Sequence, residues 1–578
     1  MNKKIKKLIG VIMTVCLTAS TITIPVFAEE KTDVVENRQD DLDFLYDCLK
    51  ENHPNIFANT PEEEFLSLKA EIESKIPSES NVNFAFDLEK LAALVGDSHT
   101  SVSLGGSVVN EINFYPVEID WYDGNWYLAM SKGSDSGMLG MKVTSINGIG
   151  MNDVLKKISP LISYDNEVKL RRQFTEMCYI ADLYDCAGIT TDGEPLVLSL
   201  TNSQGIKHTL TVNSINESEI DNFRYANLSS KRRTVPATEY DKTKYYFSKA
   251  LNESTYYIQY NRCSEDADYA MADFCKDIKS DLDNGGYKLV LVDLRNNGGG
   301  SDGVIAPLML MLRQEMDAGL KVAVLVGEST FSAAIINAVE FQEMGCVLVG
   351  EPTSGSVDHF GAVSSFKLPN SQFNISVSSK YISLSEYFDA AVGIGVESLV
   401  PDVVIPQTID DYMTGKDTCV EKILYDDSCL KPAEHNASPL TRGRFIGKLY
   451  EALGSPQTEV TTVPYGDLFG FEWYIPALNW AKENKIASGT GDEGFYAART
   501  VTWQETAVFM VRAIKALGIE PKAVRDSQVP ELLLTNEWSR ESVEYAWKWG
   551  LIPQNSDFSK APNRADGKTM IDAFINIK

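Results

Sequence analysis

The sequence predicts a multidomain α/β chain. It has a helical N-terminal region, a β-rich module, an α/β core on a largely parallel sheet, and an all-α repeat tail. Three observations carry this. The chain has 578 residues, room for roughly three or four domains at about 150 residues each. Between Tyr287 and Val349 apolar β-branched runs alternate with helix-like runs, the pattern of strands buried on both faces and joined by right-handed crossovers. From Pro439 onward the chain repeats itself. Hydrophobic residues make up 44 % and charged residues 23 %, which excludes a largely disordered or collagen-like protein. The formal net charge of −28 repels phosphate, so no nucleic-acid partner is expected, and neither is a polybasic membrane tether.

Residues 1–28 read as a secretory signal peptide. Lys3, Lys4, Lys6 and Lys7 precede an apolar stretch, and Val26-Phe27-Ala28 supplies a cleavage signal; the alternative is an uncleaved anchor. Cys16 lacks small residues before it, so no lipoprotein anchor is read. No later segment has the ~20 apolar residues of a membrane span. Eight cysteines remain, with no CxxC pair and no paired-His spacing, so no metal site is expected. Cys178/Cys186 and Cys419/Cys429 are close enough to form disulfides in an exported protein, and free thiols are equally open.

Residues 29–95 form the helical region, from the spacing of Leu42, Leu45, Leu49, then Phe65, Leu68, Ile72, then Phe86, Leu88, Leu91, Leu94. Residues 96–213 are β-rich, with a hairpin turn at Asp123-Gly124-Asn125; Gly140–Ile158 reads as strand, tight turn, strand edge and helix. Residues 214–406 hold the α/β core. Its strands are Tyr287–Leu294, Lys321–Val326 and Val347–Val349, and its helices Val304–Leu312 and Ala333–Phe341. Residues 407–438 are polar and read as a linker. In the tail, residues 439–578, Trp473-x3-Ala477-x2-Trp480-Ala481 is echoed by Trp538-x3-Ser542-x2-Tyr545-Ala546, the mark of helical repeats. Trp473, Trp480, Trp538, Trp547 and Trp549 read as core.

The chemistry gathers at two strand ends. Asp293–Gly300, DLRNNGGG, leaves a buried strand. Its glycines let backbone N–H groups approach a ligand, as an oxyanion hole requires; such turns also cradle phosphates or make tight corners. GxxxxGK[ST] and GxGxxG are both absent, so nucleotide binding is disfavoured and no cofactor is expected. Ser332 lies where the next strand gives way to a helix. It reads either as an N-cap or as a nucleophile whose oxyanion meets the Ala333 N–H. The histidines are His53, His99, His208, His359 and His435. His99, in a polar turn after a helix, is the candidate base, and His359 competes with it.

DLRNNGGG, FSAAI, VLVGEPTSG and VPDVVI, in that order, resemble the C-terminal-processing (tail-specific) serine proteases over residues 40–406. GDSHT at Gly96–Thr100 resembles their tricorn-type branch. The resemblance implies a crotonase/ClpP-like core acting on a peptide or protein substrate by acyl transfer. It makes Ser332 the nucleophile, His99 the general base, Ser98 a relay hydroxyl and Glu397 the carboxylate behind it, with Glu386 as the fallback. Gly298 or Gly299 joins Ala333 in the oxyanion hole, and Gly137–Ile158 becomes a PDZ-like module for substrate tails. The lysine of the Ser-Lys branch is missing after Thr353-Ser354-Gly355, so the burden falls on His99. Without His99 near Ser332, the chain is a catalytically inactive envelope protein that binds peptides or other ligands. The tail resembles S-layer homology domains, which implies attachment to secondary cell-wall polysaccharide and a secreted, wall-associated protein of a Gram-positive-type envelope. The motif positions are Thr441-Arg442-Gly443-Arg444, Thr502-Trp503-Gln504-Glu505 and Asn563-Arg564-Ala565-Asp566. They leave Arg442 and Arg564 as partners for an anionic sugar. A structural envelope protein in which the tail carries the main role is a third reading.

Overall fold

The computed structural model describes residues 31–577 apart from 104, 192, 427, 429, 432–434, 459 and 491–493. The signal peptide, Cys16 and Cys429 lie outside the described residues.

Three helices open the chain: α1 (Lys31–Asn52), α2 (Glu62–Lys75) and α3 (Asn81–Ala93). Leu45 and Leu49, Phe65 and Ile72, and Phe86 and Leu91 share one buried cluster, the helix-spaced stripes meeting face to face. The Ser80 hydroxyl caps α3, accepting from the Asn83 N–H at 3.0 Å. A short strand β1 (Ser101–Ser103) follows the GDSHT turn.

The β-rich module is an antiparallel sheet of β2 (Glu118–Tyr122), β3 (Asn125–Lys132), β4 (Lys142–Ile146), β6 (Leu196–Thr201) and β7 (Lys207–Val212). β5 (Ile149–Gly150) pairs with β4, and β8 (Tyr225–Asn227) with β3. The β2–β3 hairpin turns on Asp123 and Gly124, both with positive φ, 44° and 75°, as a two-residue loop requires. Helices α4 (Met151–Ile158), α5 (Glu167–Met177) and α6 (Ala181–Cys186) lie between β5 and β6.

The core is a six-stranded sheet of β9 (Tyr246–Ala250), β10 (Thr255–Tyr260), β11 (Leu289–Asp293), β12 (Lys321–Val326), β13 (Val347–Gly350) and β16 (Val403–Val404), in the order β16-β13-β12-β11-β10-β9. All pairs are parallel except β9 with β10. Strands β10 and β11 are buried throughout, which explains the apolar run Leu289–Val292 of β11. Helices α7 (Met271–Gly285), α8 (Ala306–Asp317) and α9 (Ala333–Glu343) make the crossovers. The hairpin β14 (Asp358–Lys367) and β15 (Asn374–Ser383) leaves this sheet and pairs with β1, joining the two ends of the 40–406 region in one small sheet.

The stretch read as a linker carries α10 (Ile409–Thr414) and α11 (Thr418–Tyr425). Cys419, Val420 and Ile423 pack on Leu291 and Leu325 of the sheet. The tail consists of α12 (Arg442–Ala452), α13 (Ile475–Glu483), α14 (Trp503–Ala516), α15 (Arg540–Lys548) and α16 (Arg564–Ile577). Trp480 and Trp547 are core residues, and Trp473 and Trp549 are partly buried. Trp538 departs from expectation: its ring is 61 % exposed, outside the apolar stripe of its turn. The tail docks on the core. The Tyr474 hydroxyl donates to Glu343, the last residue of α9, at 2.5 Å, and Arg444 Nε donates to buried Asp389 at 2.7 Å. The Cys178 and Cys186 thiols are free, so that disulfide is not formed. No helix among the described residues is long and apolar enough to cross a membrane.

Candidate active site

The site forms where the exits of β11 and β12 meet the GDSHT turn. After β11 the chain turns through the glycines. Asn297 is fully buried and ties this corner together. Its Oδ1 accepts from the Gly299 N–H at 2.9 Å, its Nδ2 donates to the Tyr260 carbonyl at 3.0 Å, and its carbonyl accepts from the Phe331 N–H at 3.0 Å. Gly299 has φ +100°, and a Cβ there would lie 2.7 Å from Ser332 Cβ and 3.0 Å from the Ala333 nitrogen. Only glycine fits so close an approach.

Ser332 itself is strained, with φ 53° and ψ −129°, and its hydroxyl does not cap α9. The N-cap reading is therefore set aside; backbone strain of this kind clusters at functional sites. The Gly299 N–H is already committed to Asn297. Of the two alternative glycines, Gly298 is the exposed one.

His99 reaches this point from the far side of the sequence. Its ring stacks on that of Phe331, the residue bonded to Ser332, with centroids 4.5 Å apart and planes at 22°. Its backbone N–H donates to Asp97 Oδ1 at 2.6 Å. Asp97 is the hub of the turn. It also accepts from Thr100 N–H and Oγ, from Ser378 Oγ at 3.2 Å on β15, and from His53 Nε2 at 2.9 Å. Burial pushes the Asp97 carboxyl up, but the His53, Thr100 and His99 hydrogen bonds outweigh it and hold it below its ordinary range.

Ser98 stands beside the ring. Its Oγ donates to Asp165 Oδ2 at 2.9 Å and lies 3.5 Å from His99 Nδ1. With the Ser98 hydroxyl donating to Asp165, its Oγ is left to accept from Nδ1–H. Nε2 is buried with no hydrogen-bond partner of good geometry among the described residues, and the Phe360 carbonyl beside the ring favours its protonated form. Glu397 is corrected here. Its side chain is exposed and its place in the fold is made by its backbone carbonyl, which accepts from Val357 N–H at 3.0 Å. Glu386 is exposed as well. The carboxylate behind Ser98 is Asp165, raised from its ordinary pKa by burial and eased back by Ser98 and Ser356. The next residue, Asn166, caps α5 and bonds Ser356 Oγ at 2.8 Å, so this carboxylate is tied to the Thr353–Val357 turn.

His359 is buried on the opposite side of His99, with ring centroids 5.4 Å apart, its Nδ1 donating to the Ser356 carbonyl at 2.9 Å. Burial first, and then the His359 charge, push the His99 pKa down to about 3. Lys169 holds its ammonium 4.0 Å from the centre of the Phe331 ring. The remaining motif residues hold the frame: Arg295 forks onto Asp417 at 3.0 and 2.8 Å and bonds Asp293, which accepts from Tyr257. Among the described residues no group of three or more His, Cys, Asp or Glu side chains is placed to hold a metal ion.

The two tail arginines do not stand open as expected. Arg442 is 2 % exposed and donates to the Phe495 carbonyl at 3.0 Å, to the Ser488 carbonyl and to Glu505. It serves as an internal strut between repeats and leaves no guanidinium face for a sugar. Arg564 turns toward the core and donates to the Asp389 carbonyl at 3.3 Å.

No family model and no curated protein sequence matches the chain. Among solved structures, the chain is similar to mature CPAF complexed with lactacystin, at 14 % identity and a TM-score of 0.47, over 66 % of this chain and 95 % of that one. It is also similar to a Parabacteroides merdae protein provisionally described as a peptidase, at 13 % identity and a TM-score of 0.34, over 68 % of this chain and 97 % of that one. A lipoprotein from Streptococcus agalactiae matches at 10 % identity and a TM-score of 0.29, over 66 % of this chain and 95 % of that one.

Proposed function

We propose that this chain is a serine-type peptidase of the tail-specific kind that works by acyl transfer, with Ser332 as nucleophile and His99 as general base. The observation that carries the reading is the stacking of His99 on Phe331, the residue that precedes a strained, non-capping serine. His99 Nε2 takes the Ser332 proton as Oγ attacks a peptide carbonyl. The tetrahedral oxyanion forms against the N–H groups of Gly298 and Ala333, at the positive end of α9. The His99 ring is hard to charge in its buried stack, and the oxyanion that develops in the same step offsets that cost. Ser98 and Asp165 keep the Nδ1 proton in place. The imidazolium then protonates the leaving amine, and water, activated by the same ring, releases the acyl group.

The strand–turn–strand–helix unit of β4, β5 and α4 is the part proposed to hold substrate tails in a PDZ-like manner. The signal-like N-terminus supports export, and the repeat echo supports attachment to cell-wall polysaccharide. Buried Arg442 does not support that attachment at its own position. A fluorophosphonate probe tests the chemistry: wild type is expected to label and Ser332→Ala to stay unlabelled. Equal labelling of both, or of neither, removes the peptidase reading. Sedimentation of the full chain with purified wall polysaccharide tests attachment, and no co-sedimentation ends that part.

A further inference from the structure

Lys169 is a charged side chain close to the nucleophile that the acyl-transfer steps leave unused. It lies in the first turn of α5, just after the capping residue Asn166. Asn166 Nδ2 also donates to the Ser354 carbonyl at 3.0 Å and to Ser356 Oγ at 2.8 Å, so this end of the helix is fixed to the core. The Lys169 ammonium rests 4.0 Å from the centre of the Phe331 ring, and Phe331 is bonded to Ser332. Lys169, Phe331 and Ser332 are each partly exposed.

The chain has 81 acidic residues against 53 basic ones, so a partly buried ammonium has carboxylates in plenty to pair with. Lys69 and Lys75, partly buried on α2, each meet two: Asp43 and Glu73 for the first, Glu71 and Asp87 for the second. Among the described residues Lys169 forms no ion pair; its ammonium touches the ring instead. Two acids act on it from further off, Glu176 and Asp165, and Arg172 opposes them. Both acids are spent elsewhere. Glu176 accepts from Arg172 at 3.0 Å, and Asp165 accepts from Ser98 at 2.9 Å and from Asn166 Nδ2 at 3.2 Å. Burial, the largest influence, pushes the Lys169 pKa down. The ring face steadies this cation without neutralising it, and a carboxylate brought alongside does both.

We propose that Lys169 sets specificity by taking the carboxylate of an Asp or Glu side chain in the substrate, beside the bond that Ser332 attacks. The inference rests on the peptidase reading and names a substrate class for that site: peptides with an acidic residue flanking the scissile bond. Ring and ammonium together suit such a side chain, whose methylenes lie against Phe331 while its carboxylate meets Nζ. The net charge of −28 repels acidic peptides from a distance, so the selection is made at contact. Salt screens the distant charges more than a partly buried pair, so the preference should persist as ionic strength rises.

The test incubates the full chain with a synthetic decapeptide library in which Glu, Gln and Lys alternate at every position, and maps the cuts by mass spectrometry. Wild type is expected to cut beside Glu about fivefold or more in preference to Gln, between the effect of an exposed ion pair and that of a buried charge-assisted bond. Lys169→Gln should lose the preference while its serine still takes the fluorophosphonate label. Lys169→Glu should turn it toward Lys, and Lys169→Arg should keep it. Lys276→Met, at an exposed lysine on α7, should keep it too, which separates a local contact from net charge. Cuts without acidic preference, or the same cuts in wild type and Lys169→Gln, overturn the proposal. So does a preference that disappears when the peptides are amidated at the C-terminus, because Lys169 then reads the chain end. Immobilised Ser332→Ala protein provides an arm free of turnover. It should retain Glu peptides over Gln peptides, and the Ser332→Ala/Lys169→Gln double variant should not; equal retention by the two overturns the subsite. If wild type neither labels nor cleaves, the peptidase reading goes, and retention still decides whether Lys169 takes the carboxylate.

Discussion

At His99 the decisive quantity is where the ring takes a proton. Its pKa, pushed down to about 3 from an ordinary 6.5, keeps the imidazole neutral across the whole physiological range. The acid limb of kcat/KM should therefore fall well below pH 6.5, and a pH–rate profile checks it. His359→Phe keeps a flat ring on His99 but removes the second charge, so that limb should move upward. The unfolded chain takes this proton more readily than the native one, so the His99 contribution to stability is lost as pH falls from about 6.5 toward 3. Asp165→Asn should lower kcat by roughly a hundredfold, the low end of what acid–base groups contribute. Glu397→Gln should leave kcat within about twofold, as expected of an exposed side chain; steady-state kinetics on the pair decides which carboxylate serves Ser98. The turn that carries His99 and the strand-to-helix junction that carries Ser332 were legible because each is a compact local motif. Asp165 was not: Asp165-Asn166 ahead of a helix has the look of an ordinary cap, and Asn166 does cap. Only the fold shows that the neighbouring carboxylate turns to Ser98.

The elements that matter most are the glycine corner and α9. A Cβ at Gly299 collides with Ser332 Cβ and the Ala333 nitrogen, whereas one at Gly298 meets nothing within 4 Å. Gly299→Ala should abolish turnover and cost about 1–3 kcal/mol of stability through forced backbone strain. Gly298→Ala retains its N–H and should keep most activity; kcat/KM and Tm measured together separate the two. The parallel strands were readable because burial on both faces leaves unbroken β-branched runs. Helices α10 and α11 were not. Their segment is polar on average, and what orders it is one long-range fork, Arg295 on Asp417, with Cys419, Val420 and Ile423 set on the back of the sheet. Composition averages such a stripe away.

Over the whole molecule, the repeat tail is a docked body rather than a loose tether, and its docking is pH-dependent. Burial and nearby Asp389 raise the Glu343 pKa to about 8 from an ordinary 4.5. The native state thus holds a proton that the unfolded chain releases, so this part of the stability is full below about pH 4.5 and is lost as pH rises toward 8. Glu343→Gln should flatten Tm across that window, as differential scanning calorimetry would record. The repeats were visible in the sequence as an echo. The seam was not, because it joins residues such as Glu343 and Tyr474, 131 positions apart, whose pairing leaves no local pattern. The same long reach governs the Asp97 hub, which needs His53 from the first helices and Ser378 from a hairpin 281 positions downstream. A chain folded only as far as its β-rich module cannot assemble that hub; the turn that carries His99 is complete only when the last hairpin closes on it.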